Sequence, residues 1–292
     1  MLTRSIWVVI AVVAAIPALG NTVTAADADI QTALSSGFTL LGYNVSNIGT
    51  SLITGSVGVG SSAGTITGFD PTGSATGAVY APGSPTGAAA YNDFLAAYIA
   101  ALGLTGGTPL AAGLPSEVFT AAEGVNVYTL PAGGTSTTSG THLTFNANGN
   151  PNAVFIIQVP GAFTVNGSIT FSLVNGAKAD NIIWVVGTGA TINVGSSGPI
   201  TFDGNILAGS AFTMSVSPDG IGTLTGTING CVFSDRGTNT LAGTTDITGC
   251  SGDISLEKDP ASDPVPESGT TALFTCSLLG LGFLLRRPVC KS

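Results

Sequence analysis

Charge is what this chain lacks most. Asp, Glu, Lys and Arg together make up 8% of its 292 residues, against roughly 25% in an average soluble protein. Lys and Arg number seven, and Arg4, Arg286, Arg287 and Lys291 lie near the ends. Lys178, Arg236 and Lys258 remain in between against sixteen acids, for a net charge of −9. No basic patch is left to neutralise a phosphate backbone, so nucleic acid is excluded as a partner. His142 is the single histidine and reads as a solvated turn residue. Asp235 beside Arg236 reads as a surface pair. Asp203 and Asp246 could hold a cation, but the dense Asp/Gly repeat of calcium-binding β-helices is missing. Without a nucleophile–base constellation or a metal-ligand cluster, the expectation is a protein that is not an enzyme. No catalytic residue, metal or cofactor is assigned.

Low charge does not mean disorder here. Disordered chains combine low hydrophobicity with high net charge, whereas Val, Ile, Leu and Phe recur throughout this sequence. Its 42 glycines and frequent Thr, Ser and Asn point to many short segments separated by tight corners.

Both ends resemble address labels. Residues 1–25 read as a secretory signal: Arg4 at the start, the apolar run "IWVVIAVVAAIPAL", then small residues around a cut. The run is short of the ~20 residues of a spanning helix, and an uncleaved anchor is the alternative. Residues 255–268 form a Pro-rich acidic linker that runs into the motif Val265-Pro266-Glu267-Ser268-Gly269, and residues 269–292, from the last residue of that motif, are an apolar segment with a basic stop. This order resembles the PEP-CTERM sorting signals of bacterial exosortase systems, in the VPDSG-like variant. That resemblance implies a Gram-negative bacterium, export to the cell surface or medium, and exosortase-type sorting machinery as a partner for the tail. The trailing "PVCKS" departs from the pattern, and a plain membrane anchor is the alternative.

Export makes Cys231 and Cys250 readable. They are an even pair in an oxidising compartment, consistent with a disulfide; two buried free thiols are the other reading.

Residues 26–254 form the expected main domain. One helix stands out, "TGAAAYNDFLAAYIAALGL", with Thr86 as its cap, Gly103 as its end and a stripe of Tyr91, Leu95, Tyr98 and Leu102 for the core. From Asn152 onward, apolar strands ("NAVFIIQV", "NIIWVVG") alternate with shorter segments ("FTVNG", "ATINV", "AFTMSV", "GTNTLAG") and a third set ("SITFSLVNG", "PITFDG", "GTLTGT"). Three strands per turn with Gly-rich corners describe a three-sided parallel β-solenoid.

The segments "FTLLGYNVSNIGTSLITGSVGVGSSAGTITGF", "NPNAVFIIQV", "LVNGAKADNIIWVVG" and "FDGNILAG" resemble the microbial ice-binding proteins of the DUF3494 type. The likeness runs from about Ala33 to Gly252. It implies a mostly β, discontinuous, right-handed solenoid with one long α-helix alongside, and ice or ordered water as the partner of a monomer.

Ice is a regular lattice of uncharged hydrogen-bonding oxygens. A receptor for it needs a flat, repetitive, weakly hydrated surface. Thr offers a hydroxyl and a methyl on a side chain that is stiff at χ1. In the second strand of each turn, alternation sends Phe212, Met214 and Val216 inward and Thr213 and Ser215 outward. The same rule places Thr164, Asn166, Thr191, Asn193, Thr238 and Thr240 outward. These eight are the expected ice-binding face. A cell-surface adhesion or matrix protein, binding polysaccharide or other cells through the same fold, is the alternative function.

Overall fold

The computed structural model describes residues 25–69, 73–122, 124–195, 198–217 and 224–250. These all belong to one compact unit, Val23–Asp259. The signal-like start up to residue 24 and the Val265–Gly269 motif lie outside the described residues.

The second half of the chain repeats one circuit. Val154–Val159, Phe163–Asn166 and Ile169–Val174 lie in three different sheets, and Ile182–Val186 then returns beside Val154–Val159. The pairing is parallel, with Phe155 opposite Ile182 and Ile157 opposite Trp184. Further circuits follow the same order. One runs through Asn205–Ala208, Phe212–Val216 and Gly226–Asn229, and the next through Val232–Ser234, Thr238–Ala242 and Thr245–Ile247. Stacked circuits build a nine-stranded sheet, a seven-stranded sheet, and a third position shared by a three- and a five-stranded sheet. The fold is the expected mostly β, parallel solenoid. It is also discontinuous: Phe38–Gly42, near the start of the domain, pairs with Val232–Ser234, so the N-terminal strands stack onto the last circuit.

The central strands of the nine-stranded sheet are buried on both faces, which is why "IIWVV" and "VFIIQV" are continuous apolar runs rather than alternating ones. Phe155, Ile157, Ile182, Trp184 and Ile206 fill the solenoid interior. Val154, Ile156, Ile183, Val185 and Leu207 face the other way and pack under two helices, α1 (Ala25–Leu34) and α2 (Pro85–Leu102). Inside, Trp184 stacks on Phe163 with ring centroids 5.1 Å apart. Its indole N–H donates to the Asp203 carbonyl at 3.1 Å, fixing the corner before Gly204.

Several details differ from the sequence expectation. Helix α1 was not anticipated, because its pattern "AADADIQTAL" adjoins the signal-like run. The N-cap of α2 is Ser84, whose hydroxyl accepts from Gly87 N–H, with Pro85 in the first turn; Thr86 is already helical. Gly103 ends the helix as expected. Its buried stripe is Ala90, Phe94, Ala97, Tyr98 and Ala101, while Leu102 is exposed. Small alanines line the buried face because the helix lies close against the sheet, Phe94 and Tyr98 reach into the gaps, and Tyr91 and Leu95 pack partly buried at its margin. His142 sits in the strand Thr141–Asn146, not in a turn, and bridges Thr170 Oγ1 (2.7 Å) and Ser172 Oγ (3.1 Å). The strand expected at "GTLTGT" begins later, at Gly226.

Candidate functional site

The seven-stranded sheet carries the candidate surface. Its spatial order is Thr135–Thr137, Phe163–Asn166, Ala190–Val194, Phe212–Val216, Thr238–Ala242, Asn44–Asn47 and Ile66–Thr67. Each strand alternates. Phe163, Val165, Ile192, Val194, Phe212, Met214 and Leu241 are buried in the core, and the residues between them face out.

Register converts this alternation into files. Ser136 lies opposite Thr164, Thr164 opposite Thr191, Thr191 opposite Thr213 and Thr213 opposite Thr240. Thr240 then meets Ser46, and Ser46 meets Thr67. One unbroken rank of hydroxyl side chains thus crosses all seven strands, at the ~4.8 Å interval of adjacent strands. Thr67 donates to Ser46 Oγ at 3.2 Å. Among the described residues, Thr164, Thr191, Thr213 and Thr240 have no hydrogen-bond partner for their hydroxyls within the protein. Those four hydroxyls are left to water.

A second file runs parallel, two residues further along each strand. Asn166 faces Asn193, Asn193 faces Ser215, and Ser215 faces Ala242. Here the side chains bond to one another. Asn193 Nδ2 donates to Asn166 Oδ1 at 2.8 Å, and Asn166 Nδ2 donates diagonally to Ser136 Oγ at 3.0 Å. The file then turns apolar: Ala242 is followed by Ile48, whose N–H continues the ladder to Leu241 O and whose side chain is 71% exposed. On the other flank Thr238 pairs with Asn44, and Asn44 Oδ1 accepts from the Thr65 N–H and hydroxyl. All eight residues expected on this face therefore lie on one sheet, with their alternation as anticipated.

The register also adds Ser136, Ser46 and Thr67, which sequence reasoning missed. Ser136 lies between Thr135 and Thr137, so apolar alternation could not choose its side. Ser46 in "NVSN" and Thr67 in "TITGF" do alternate with Val45 and Ile66, but nothing local ties them to Thr240. No outward residue of the seven strands is charged. The third position is less uniform. Its rank Thr201, Thr227, Asp246, Leu52 and Ser74 mixes charge with an exposed leucine, and its other sheet presents His142 and Val118. The nine-stranded sheet is covered by the helices.

Cys231 and Cys250 are joined in a disulfide, with Cα atoms 5.1 Å apart. Asp235 and Arg236 form a surface ion pair, Nε to Oδ2 3.3 Å. Asp203 is 8% exposed, and burial pushes its carboxyl above the usual carboxylate range. The Asn229 amide, donating at 2.7 Å, opposes that push. Among the described residues there is no group of three or more His, Cys, Asp or Glu that could hold a metal ion.

A family model described as Ice-binding-like matches residues 39–247, and the chain belongs to that family. It is 35% identical to ice-binding protein K3-B1 of Typhula ishikariensis over 60% of this chain and 74% of that protein. It is 30% identical to an ice-binding protein of Nostoc sp. (strain HG1) over 59% of each. Among solved structures, it resembles an ice-binding protein from the Antarctic ascomycete Antarctomyces psychrotrophicus, at 25% identity and a TM-score of 0.58. That likeness covers 76% of this chain and 98% of the other. An ice-binding protein from an Antarctic biological consortium shares the fold, at 24% identity and a TM-score of 0.61, over 75% of this chain and 90% of that one.

Proposed function

We propose that this protein binds ice through the outward face of the seven-stranded sheet and so restrains ice growth or recrystallisation outside the cell. The rank Ser136–Thr164–Thr191–Thr213–Thr240–Ser46–Thr67 carries the reading. It is uncharged, so no tightly held hydration shell keeps ice away. Its β-sheet backbone fixes the spacing across strands, and stiff Thr side chains preserve that spacing at the surface. Water ordered between such groups costs little entropy, because the sheet has already aligned them. Each contact is weak, so the effect depends on many acting in register. Family membership and the ice-binding relatives support the reading, and they lend the adhesion alternative no support. The action is non-catalytic.

The segments at both ends extend the proposal. Residues 1–25 act as an export signal, and Val265–Gly269 marks the tail for sorting. The domain 26–254 then works as a monomer outside the cell. Mass spectrometry of surface-fraction protein tests this. Loss of the first ~25 residues and of the tail supports it; retention of Phe283–Ser292 sinks the sorting proposal. The binding proposal is tested by growing single ice crystals in the purified protein: faceted, arrested crystals support it, and rounded crystals that grow freely overturn it.

A further inference from the structure

At the corner between the helix-covered sheet and the hydroxyl face lies an open cleft of about 530 Å³, lined by Tyr43, Ser61, Tyr91, Asp235, Arg236 and Gly237. Its composition is unusual for this molecule. Lys178 and Arg236 are the only Lys or Arg among the described residues, and the Asp235–Arg236 pair is the only ion pair among them. The cleft is also built with care. The Tyr91 hydroxyl donates to the Asp235 backbone carbonyl and lies 3.0 Å from its Oδ1, so the carboxylate is held in place. Gly60 lets the Tyr91 ring approach its backbone, where any Cβ would overlap the ring. Gly237, at φ +81°, turns the chain so that Arg236 projects outward, 80% exposed. Tyr43 belongs to neither hydrophobic core and is 36% exposed.

We propose that this cleft is a binding site for a neutral sugar ring, a single hexopyranose unit within a glycan or free. The ring's apolar C–H face stacks on Tyr43, as aromatic side chains with a polar surrounding favour. Two neighbouring hydroxyls complete the recognition: one donates to the free lone pairs of the Asp235 carboxylate, the other accepts from the Arg236 guanidinium. Because the two charges sit side by side, the cleft has little net charge and favours a hydroxylated neutral ligand over an anion. Burial and the Asp235 carboxylate push the Tyr91 hydroxyl well above its ordinary range, so it stays a proton donor throughout the neutral range. The site is independent of the ice-binding reading, although its lip adjoins that face: the Gly237 carbonyl accepts from the Asn44 N–H at 3.2 Å.

The test is an NMR titration of the folded protein with methyl β-D-glucopyranoside, methyl β-D-galactopyranoside and methyl α-D-mannopyranoside, with citrate as the anionic comparison. At least one glycoside is expected to give saturable amide shifts confined to Tyr43, Ser61, Arg236, Gly237 and their neighbours. Tyr43→Ala is expected to weaken that binding about fivefold to tenfold, and Arg236→Gln to weaken it as well. Both positions are exposed, and circular dichroism verifies folding. Val118→Ser, exposed on the separate three-stranded sheet, is expected to leave the glycoside affinity unchanged. The proposal is overturned if none of the three glycosides gives a saturable shift, if citrate alone does, or if Tyr43→Ala binds as well as the wild type.

Discussion

Thr240 lies in register beside Ser46, although α2 and almost the entire solenoid separate them in the chain. That one pairing joins a five-strand rank of hydroxyls to two further strands supplied by the N-terminal segment. The surface is therefore completed only when the two ends of the domain have come together.

The N-terminal contribution has a direct consequence. Ser46→Tyr places a bulky ring inside the rank between Thr240 and Thr67 while Val45 and Asn47 keep their buried places. Thermal hysteresis is expected to fall several-fold with the far-ultraviolet circular dichroism unchanged. Full activity would confine the working face to the strands after Thr135.

The disulfide bears on the same junction. Cys231 precedes the strand that receives Phe38–Gly42, and Cys250 follows the strand that receives Ser51–Ile53. With a sequence separation of 19, chain-entropy reasoning gives about 3 kcal/mol of stabilisation. Replacing both cysteines by serine is expected to lower the unfolding free energy in urea by about that amount. Ice shaping by the folded fraction should persist, since neither cysteine touches the face. A stability equal to the wild type would show that the link constrains nothing.

Asp203 provides a pH signature. The folded protein keeps its carboxyl protonated to higher pH than the unfolded chain does. Between the two pKa values the native state therefore binds more protons, and stability falls as pH rises. Asp203 is least costly below the ordinary carboxylate pKa of ~4. The loss develops from there up through the raised folded value. Asp203→Asn, which retains an acceptor for Asn229, should be at least as stable as the wild type at neutral pH. The two should converge in acid. Thermal melts across that range check this; a variant that is less stable at neutral pH and recovers in acid would reverse the sign.

Much of this was legible in the sequence, for identifiable reasons. Apolar–polar alternation in "AFTMSV" and "ATINV" sets which side chains face outward, because a strand has a period of two and only one face reaches the core. The unbroken run "IIWVV" signals a strand covered on both sides. Alternation cannot reveal which strands are neighbours, so Ser46 and Thr67 could not be joined to Thr240 from local pattern. It also fails where the inward residues are themselves polar, as at Thr135 and Thr137 around Ser136. In α2 the expected stripe holds at Tyr98, with Tyr91 and Leu95 partly buried against the same core, but it fails at Leu102, and the alanines that line the contact carry no large-residue signal. His142 looked like a turn residue, since a lone polar residue carries no period. The cleft around Tyr43 and Asp235 was invisible because its walls come from four separated segments.

The central claim is that the rank of hydroxyls on the seven-stranded sheet is the ice-binding surface, and Thr213 stands in the middle of it. The measurement is thermal hysteresis with crystal habit for the wild type, Thr213→Tyr and Asp93→Asn. Thr213 points out of the sheet between the buried Phe212 and Met214, so its replacement should change stability by no more than about 0.5 kcal/mol. Asp93 is exposed on α2, away from the sheet. The account predicts that the wild type and Asp93→Asn arrest and facet ice alike, while Thr213→Tyr, folded and equally stable, loses most of its hysteresis. Undiminished hysteresis in Thr213→Tyr would contradict it and place the ice-binding surface elsewhere on the molecule.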